Sequence, residues 1–460
     1  GQRGLTVIDE AIDLVDHYSI SCEDMETLLA RIPSEIKAQC INDVSYLRQV
    51  TSVIEAAKPG VPIKNVTAKD KGDLNHKVNF DTLRNSMKRH RFDWRECQRT
   101  DDQVQVSMRK KFLKTLDTIE ALSGSEMFYM KSGERGTLNT SSMILPKGHK
   151  GAVVLDATAK TNLIWEINGT QTHVHDVPAI ARKYDNCTLH LGIGHRVGKT
   201  FLAQNAEKEC AKLISDLKAN IPTGRKVLIV CHKGVAPYLT DYEYSVVHYG
   251  GFDGKNTWKD YDTVVIFGLH HMPLSYALNE FQGVLGPQSD KFLQNADCRG
   301  FGNHSDIKTA IEIGHLTTCV IQAINRVRCR KVINKQGDCQ PTDIYMLLPD
   351  NTIGHQIRDN VLEQMPGMKT VEWAYNGAVR KTKRSNFDKT LVSYLSSILV
   401  GKILVSEFRK FAGIDSPSFR ALVRRINDTS SILSKEIADL GVSYVVEGRG
   451  RGSRSYFVKS

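Results

Sequence analysis

Several things are missing from the 460 residues, and each absence narrows what the chain can be. No apolar run approaches the roughly 20 residues that a helix needs to cross a bilayer. No charged-then-apolar leader is read at the start, where Gly1-Gln2-Arg3-Gly4 leads straight into a short apolar segment, so no secretory signal is expected. None of the ten cysteines forms a C-x-x-C pair, which removes zinc-ribbon and simple cluster signatures. Cys22, Cys40 and Cys97 are the trio that folding could bring together, but scattered free thiols in a reducing, cytoplasmic compartment are the expectation. Internal repeats and low-complexity stretches are absent too. Acidic residues fall short of basic ones, 51 against 62, leaving a net charge of +11 that favours a polyanionic partner, nucleic acid first. What remains is ordinary for a globular chain with a real core: 41% hydrophobic and 25% charged, long enough for two to four domains of roughly 100–200 residues each.

The first informative stretch is Leu5-Thr6-Val7-Ile8-Asp9-Glu10-Ala11. A short apolar run ending in two carboxylates reads as a buried parallel strand, because parallel strands are covered on both faces. Ligands of open α/β sheets bind at the carboxyl ends of strands, where Asp9 and Glu10 are expected. There an Asp can hold Mg²⁺ and a Glu can activate water; the plainer reading is a strand entering a helix whose dipole favours the acids.

Residues 17 to about 125 read as mostly helical, with helical spacing over Cys22–Arg31, Ala38–Ala57 and Val104–Leu122. Lys88-Arg89-His90-Arg91 with Phe92 and Trp94 forms a basic, aromatic patch of the kind that suits single-stranded nucleic acid. Strands are expected at Met127–Met130, Ser141–Leu145 and Gly151–Leu155, the last running into Asp156-Ala157-Thr158. The Thr158 hydroxyl at that strand end is placed to relay between a phosphate site and a bound strand.

From about 160 to 350, strands and helices alternate, predicting a parallel sheet closed by Asp343–Leu348. Gly192-Ile193-Gly194-His195-Arg196-Val197-Gly198-Lys199-Thr200 resembles a phosphate loop. Its spacing is wrong, with five residues between Gly192 and Gly198 or three from Gly194, where four are needed. A basic loop touching a nucleic-acid backbone through Lys199 is the better reading. Gln322-Ala323-Ile324-Asn325-Arg326-Val327-Arg328-Cys329-Arg330 places arginines at a helix end, where Arg326 and Arg328 suit a triphosphate; surface ion pairs are the plainer alternative. After a basic linker at Arg380–Asn386, Leu391–Leu404, Ser406–Ala412 and Ser416–Asn427 read as helices. A hairpin with the tip Gly448-Arg449-Gly450-Arg451-Gly452-Ser453-Arg454 follows. Together they read as a winged helix, with Arg420, Arg424 and Arg425 on the recognition helix and Arg449, Arg451 and Arg454 on the wing.

In this order the motifs resemble the superfamily-two helicase core, above all helicase-like and primase-helicase-like proteins of phages and mobile elements, over roughly residues 1–350. Val7-Ile8-Asp9-Glu10-Ala11 is similar to the DEAD/DEAH box and Leu155-Asp156-Ala157-Thr158 to the Ser-Ala-Thr motif, with Asp in place of Ser. Lys226–Lys233 resembles the first strand motif of the second lobe, Gly254–Gly268 the fifth motif, and Gln322–Arg326 the Gln-x-x-Gly-Arg motif with Asn325 for Gly. Cys329 stands where that motif ends in Arg. The resemblance implies an α/β chain of two RecA-like lobes and a C-terminal winged helix. Residues 1–160 would be a partial first lobe with a largely helical insertion at about 17–125, 161–380 the second lobe, and 386–460 the winged helix.

It further implies ATP and Mg²⁺ as cofactors, with Asp9 holding the metal, Glu10 activating water, Gln322 sensing the nucleotide, and Arg326 with Arg328 stabilising transferred charge. Gly254, Asn256 and Arg330 would line the nucleotide, and Thr158, Lys199, His232 and Lys233 would meet nucleic acid, with DNA favoured and replication proteins as further partners. The family's phosphate loop precedes its acidic box, so the chain is expected to be the part of a longer polypeptide from that box onward. A phosphoryl-transfer enzyme using Gly192–Thr200, or a non-catalytic DNA-binding or replication-initiation protein, are the alternatives.

Overall fold

The computed structural model describes residues 6–9, 14–57, 62–88, 90, 102–132, 135–144, 152–169, 172–175, 181–252, 254–375, 386–398, 400–427, 431–448 and 454–459. Val227–Cys231 and Thr263–Phe267 bury every residue, the pattern of strands covered on both faces. They lie within a six-stranded, wholly parallel sheet. Its order is Lys369–Glu372, Cys187–Ile193, Thr342–Leu348, Thr263–Phe267, Val227–Cys231, Ser245–His248. The helix Ala206–Asn220 contributes Cys210, Leu213, Ile214 and Leu217 at helical spacing to the same core as Ile307–Ile324 and Thr352–Gln364. Thr342–Leu348 does not close the sheet, as the sequence suggested. It is inserted near the middle, and the exposed strand Lys369–Glu372 forms that edge.

Thr6–Asp9 pairs in parallel with Ala152–Leu155, with Asp9 opposite Leu155. The expected burial on both faces is not met: Val7 is 57% exposed, Val153 43% and Leu155 54%.

Between these two strands lies an insertion that is mostly helical, as expected, and also carries the unexpected strands Val15–Ser21 and Ile63–Asn65. Helices Cys22–Ala30, Ile41–Ala57 and Asp102–Leu122 are present. They rest on an antiparallel sheet ordered Val15–Ser21, Arg135–Met143, Phe128–Ser132, Ile63–Asn65. This sheet docks on the helix Tyr276–Leu285 of the larger unit. Ser141 Oγ donates to the Asn279 carbonyl at 2.8 Å, and His17 Nε2 lies 3.0 Å from Glu280 Oε1. Gly283 makes the approach possible, since a Cβ there would sit 2.3 Å from Val15 Cγ1.

The C-terminal residues form their own core from Leu391, Leu395, Phe408, Leu422, Ile426, Ile437 and Phe457. Helices Asn386–Ser396, Val405–Phe411, Ser416–Asn427 and Ile432–Asp439 pack with an antiparallel sheet ordered Gly401–Leu404, Arg454–Lys459, Val442–Glu447. The helix expected over Leu391–Leu404 thus ends at Ser396, and its last four residues pair as a strand. No helix among the described residues is long and apolar enough to cross a membrane.

Candidate nucleotide and nucleic-acid sites

The carboxyl end of the parallel sheet gathers Lys199, His232, Lys233, Tyr249, Gly268 and His270. Lys199 and Lys233 are exposed, whereas His232 is 5% exposed. Burial, reinforced by the nearby His270, Lys199 and His271, pushes the His232 pKa down to about 4 against the opposing effect of a hydrogen bond with the Val197 backbone. Its Nε2 has no hydrogen-bond partner among the described residues. Gly268, at φ +117°, lets that ring approach, because a Cβ there would lie 2.8 Å from Nε2. Of the three side chains expected to meet nucleic acid here, Lys199 and Lys233 face solvent and His232 is enclosed. His270 stacks on Tyr249 at 5.0 Å and lies 5.7 Å from His315, whose pKa burial also drives down to about 4.

The loop resembling a phosphate cradle is closed to that use. Gly194 N–H and His195 N–H both donate to the Leu348 carbonyl, at 2.9 and 3.2 Å, so two donors that would ring a phosphate are already committed.

The arginine segment lies at the opposite, amino end of the sheet. Arg328 N–H donates to the Tyr261 carbonyl, two residues before the strand Thr263–Phe267, and its Nε to the Pro341 carbonyl just before Thr342. Arg330 NH1 donates to Asn256 Oδ1 at 2.6 Å, and the Arg326 guanidinium sits 5.3 Å over the Phe252 ring. Gly254, at φ +67°, makes the turn between those two contacts. Thus Gly254, Asn256, Arg326 and Arg330 come together, Gln322 sits in the last turn of the adjoining helix, and Arg328 is drawn toward Pro341. Asn325, which replaces the expected Gly, accepts from Arg182 NH1 at 3.0 Å and donates to the Ile321 carbonyl at 2.9 Å.

At the two-stranded sheet, Thr158 is buried; its N–H and hydroxyl both donate to Asp156 Oδ1, at 2.8 and 2.7 Å. Trp165 Nε1 donates to the other Asp156 oxygen at 3.0 Å. The Thr158 hydroxyl is thus held by its own turn. Asp9 closes its strand at the same end as Asp156, but its side chain and all of Glu10 lie outside the described residues. The metal assignment rests on them. No group of three or more His, Cys, Asp or Glu residues able to hold a metal occurs among the described residues.

In the C-terminal unit Arg420 and Arg424 are exposed one turn apart on Ser416–Asn427, while Leu422 and Ile426 face the core. Arg425 instead pairs with Asp388 at 2.7 Å. Arg454 is exposed on its strand; Arg449 and Arg451 lie outside the described residues, as do Arg91, Phe92 and Trp94 of the basic aromatic patch and Cys97 of the cysteine trio. Cys40 is buried near Ser86 Oγ, 3.8 Å away. The sequence reading missed Tyr249, Phe252, His270 and His315. The signal was available only for His270-His271, which stand just past the carboxyl end of the apolar run Val264–Phe267.

No family model and no curated protein matches the chain. Solved structures similar to it include S. tokodaii Xpd4, at 11% identity and TM-score 0.39 over 80% of this chain and 75% of that one. An XPD helicase is similar at 12% identity and TM-score 0.35, over 80% and 68% of the two chains.

Proposed function

We propose that the chain is part of an ATP-dependent helicase or translocase acting on nucleic acid, with DNA favoured. The observation that supports this best is the meeting of Gly254–Asn256 with Arg326–Arg330. The two stretches were matched separately to two motifs of the helicase core, and the 2.6 Å Arg330–Asn256 bond brings them together across 74 residues of sequence. An arginine set gathered against a glycine turn suits a triphosphate that bridges this lobe and another, because guanidinium groups stay charged and pair with phosphate oxygens. In this reading Asp9 holds Mg²⁺ and Glu10 activates water; the ion would supply charge neutralisation on the phosphates. Gln322, Arg326, Arg328 and Arg330, with Gly254 and Asn256, orient the nucleotide. Thr158, Lys199, His232 and Lys233 serve the strand side, Lys199 and Lys233 by direct contact and the enclosed Thr158 and His232 by shaping its floor. The C-terminal unit acts as a winged helix that grips duplex through Arg420, Arg424, Arg449, Arg451 and Arg454.

The test is ATP hydrolysis by the full-length protein with and without single-stranded DNA or RNA. Asp9→Asn and Glu10→Gln are each expected to abolish the nucleic-acid-stimulated rate; turnover unchanged in both variants refutes the assignment. A second reading, a DNA-binding or replication-initiation protein with inactive motor lobes, draws support from Arg328, whose Nε is held by the Pro341 carbonyl. Salt-sensitive duplex binding without nucleotide binding would select it.

A further inference from the structure

We infer that Phe252 is a positioning residue that holds the Arg326 guanidinium and, through Tyr249, ties it to the nucleic-acid edge of the sheet. The assignment rests on the helicase reading and goes beyond it by naming the connection between its two sites. Those sites lie at opposite ends of the parallel strands, five residues or about 17 Å apart at some 3.3 Å per residue. Residues 249–262 connect one end to the other. At the carboxyl end, Tyr249 N–H donates to the Cys231 carbonyl at 3.2 Å and its hydroxyl to the Gly268 carbonyl at 2.8 Å. At the amino end, Asp262 N–H donates to the Lys226 carbonyl at 3.2 Å.

Along this loop the rings are consecutive. His232, next to exposed Lys233, has its ring centre 6.1 Å from Tyr249. Tyr249 meets Phe252 edge-on at 6.1 Å, and Phe252 carries Arg326 over its face at 5.3 Å. Tyr249 and Phe252 are 8% and 3% exposed, so neither ring can shift without moving its neighbours. A guanidinium over an aromatic face is attracted by the ring's negative quadrupole, and it is directed as well as attracted. Phe252 therefore sets where Arg326 points. A strand settling on Lys199 and Lys233 would press on the His232–Tyr249 end of the same packed series. Arg326 is thereby given a route by which strand occupancy alters its placement.

The experiment measures kcat and KM for ATP in the full-length protein, with and without a saturating single-stranded oligonucleotide. The variants are Phe252→Leu, Phe252→Tyr and a protein carrying trifluorophenylalanine at position 252, which keeps the ring's shape and removes its negative face. Phe252→Leu and the fluorinated protein are expected to lose roughly tenfold of the strand-stimulated kcat, with KM for ATP within about twofold. Phe252→Tyr should behave as the parent. In a protein already carrying Arg326→Lys, adding Phe252→Leu should cost little more. Should Phe252→Leu fail to fold, the fluorinated protein carries the test, because its packing is preserved. A fluorinated protein with full stimulated kcat, or additive effects of Phe252 and Arg326 changes, overturns the assignment while leaving the helicase reading standing. A parent protein without strand-stimulated hydrolysis overturns both.

Discussion

Acid should loosen the large parallel sheet from its carboxyl end, and His232 allows the size of the effect to be worked out. In the folded chain burial holds this imidazole at a pKa of about 4, against an ordinary 6.5. Above the ordinary value both folded and unfolded forms are neutral and nothing is lost. As pH falls from about 6.5 toward 4, the unfolded chain takes up the proton and the folded one does not, so stability declines throughout that window. The difference of about 2.5 units amounts to about 3 kcal/mol at about 1.36 kcal/mol per unit. His315 shows a depression to the same value for the same cause, so it loses stability over the same pH window. The two losses do not simply add, because both groups face His270.

The direct assay is NMR of ¹³C-labelled histidine, in which the His232 resonance should stay at its neutral position until pH approaches 4. Amide exchange in the strand Val227–Cys231 should show protection falling between pH 7 and 5, and His232→Gln should flatten that slope. A His232 midpoint near 6.5, or protection indifferent to pH, would refute the reasoning.

Gly268→Ala forces a Cβ into the left-handed region and against His232, at an expected cost of about 1–3 kcal/mol from backbone strain alone, read as a lower melting temperature. Gly283→Ala places its methyl 2.3 Å from Val15 Cγ1, so the insertion should come away from Tyr276–Leu285 and limited proteolysis between residues 14 and 144 should accelerate; an unchanged digest would count against the docking. If the C-terminal unit grips duplex, Arg420→Ala and Arg424→Ala should each lower the slope of log affinity against log salt by about one and weaken all sequences alike.

How much of this was legible depended on whether an element's partners left a mark in its own side chains. Ser416–Asn427 was read with its observed ends, since it carries a clear apolar stripe that its packing requires. The strand Lys369–Glu372 left no such mark: all four residues are exposed and its place is fixed by main-chain pairing with Cys187–Ile193. Val15–Ser21 was missed for a similar reason, with only Val15 and Ile20 fully buried in a polar run. At the candidate sites, residue type announced the arginines but not their commitments. Nothing in the spacing of Arg328 and Pro341, or of Gly194 and Leu348, signals that one group occupies the other. Those bonds depend on which strands become neighbours, and strand order is not written locally.

The strand order also bears on how the chain is made. Thr263–Phe267 and Cys187–Ile193 must wait for Thr342–Leu348 to slot between them. On a ribosome, the 74 residues between Phe267 and Thr342 take about 4–15 s to appear at 5–20 residues per second. For that interval Thr-Val-Val-Ile-Phe, buried throughout in the finished sheet, presents an unpaired apolar edge. The nascent chain thus passes through a stage at which the heart of its largest sheet is sticky and incomplete, and a chaperone has most to offer it there.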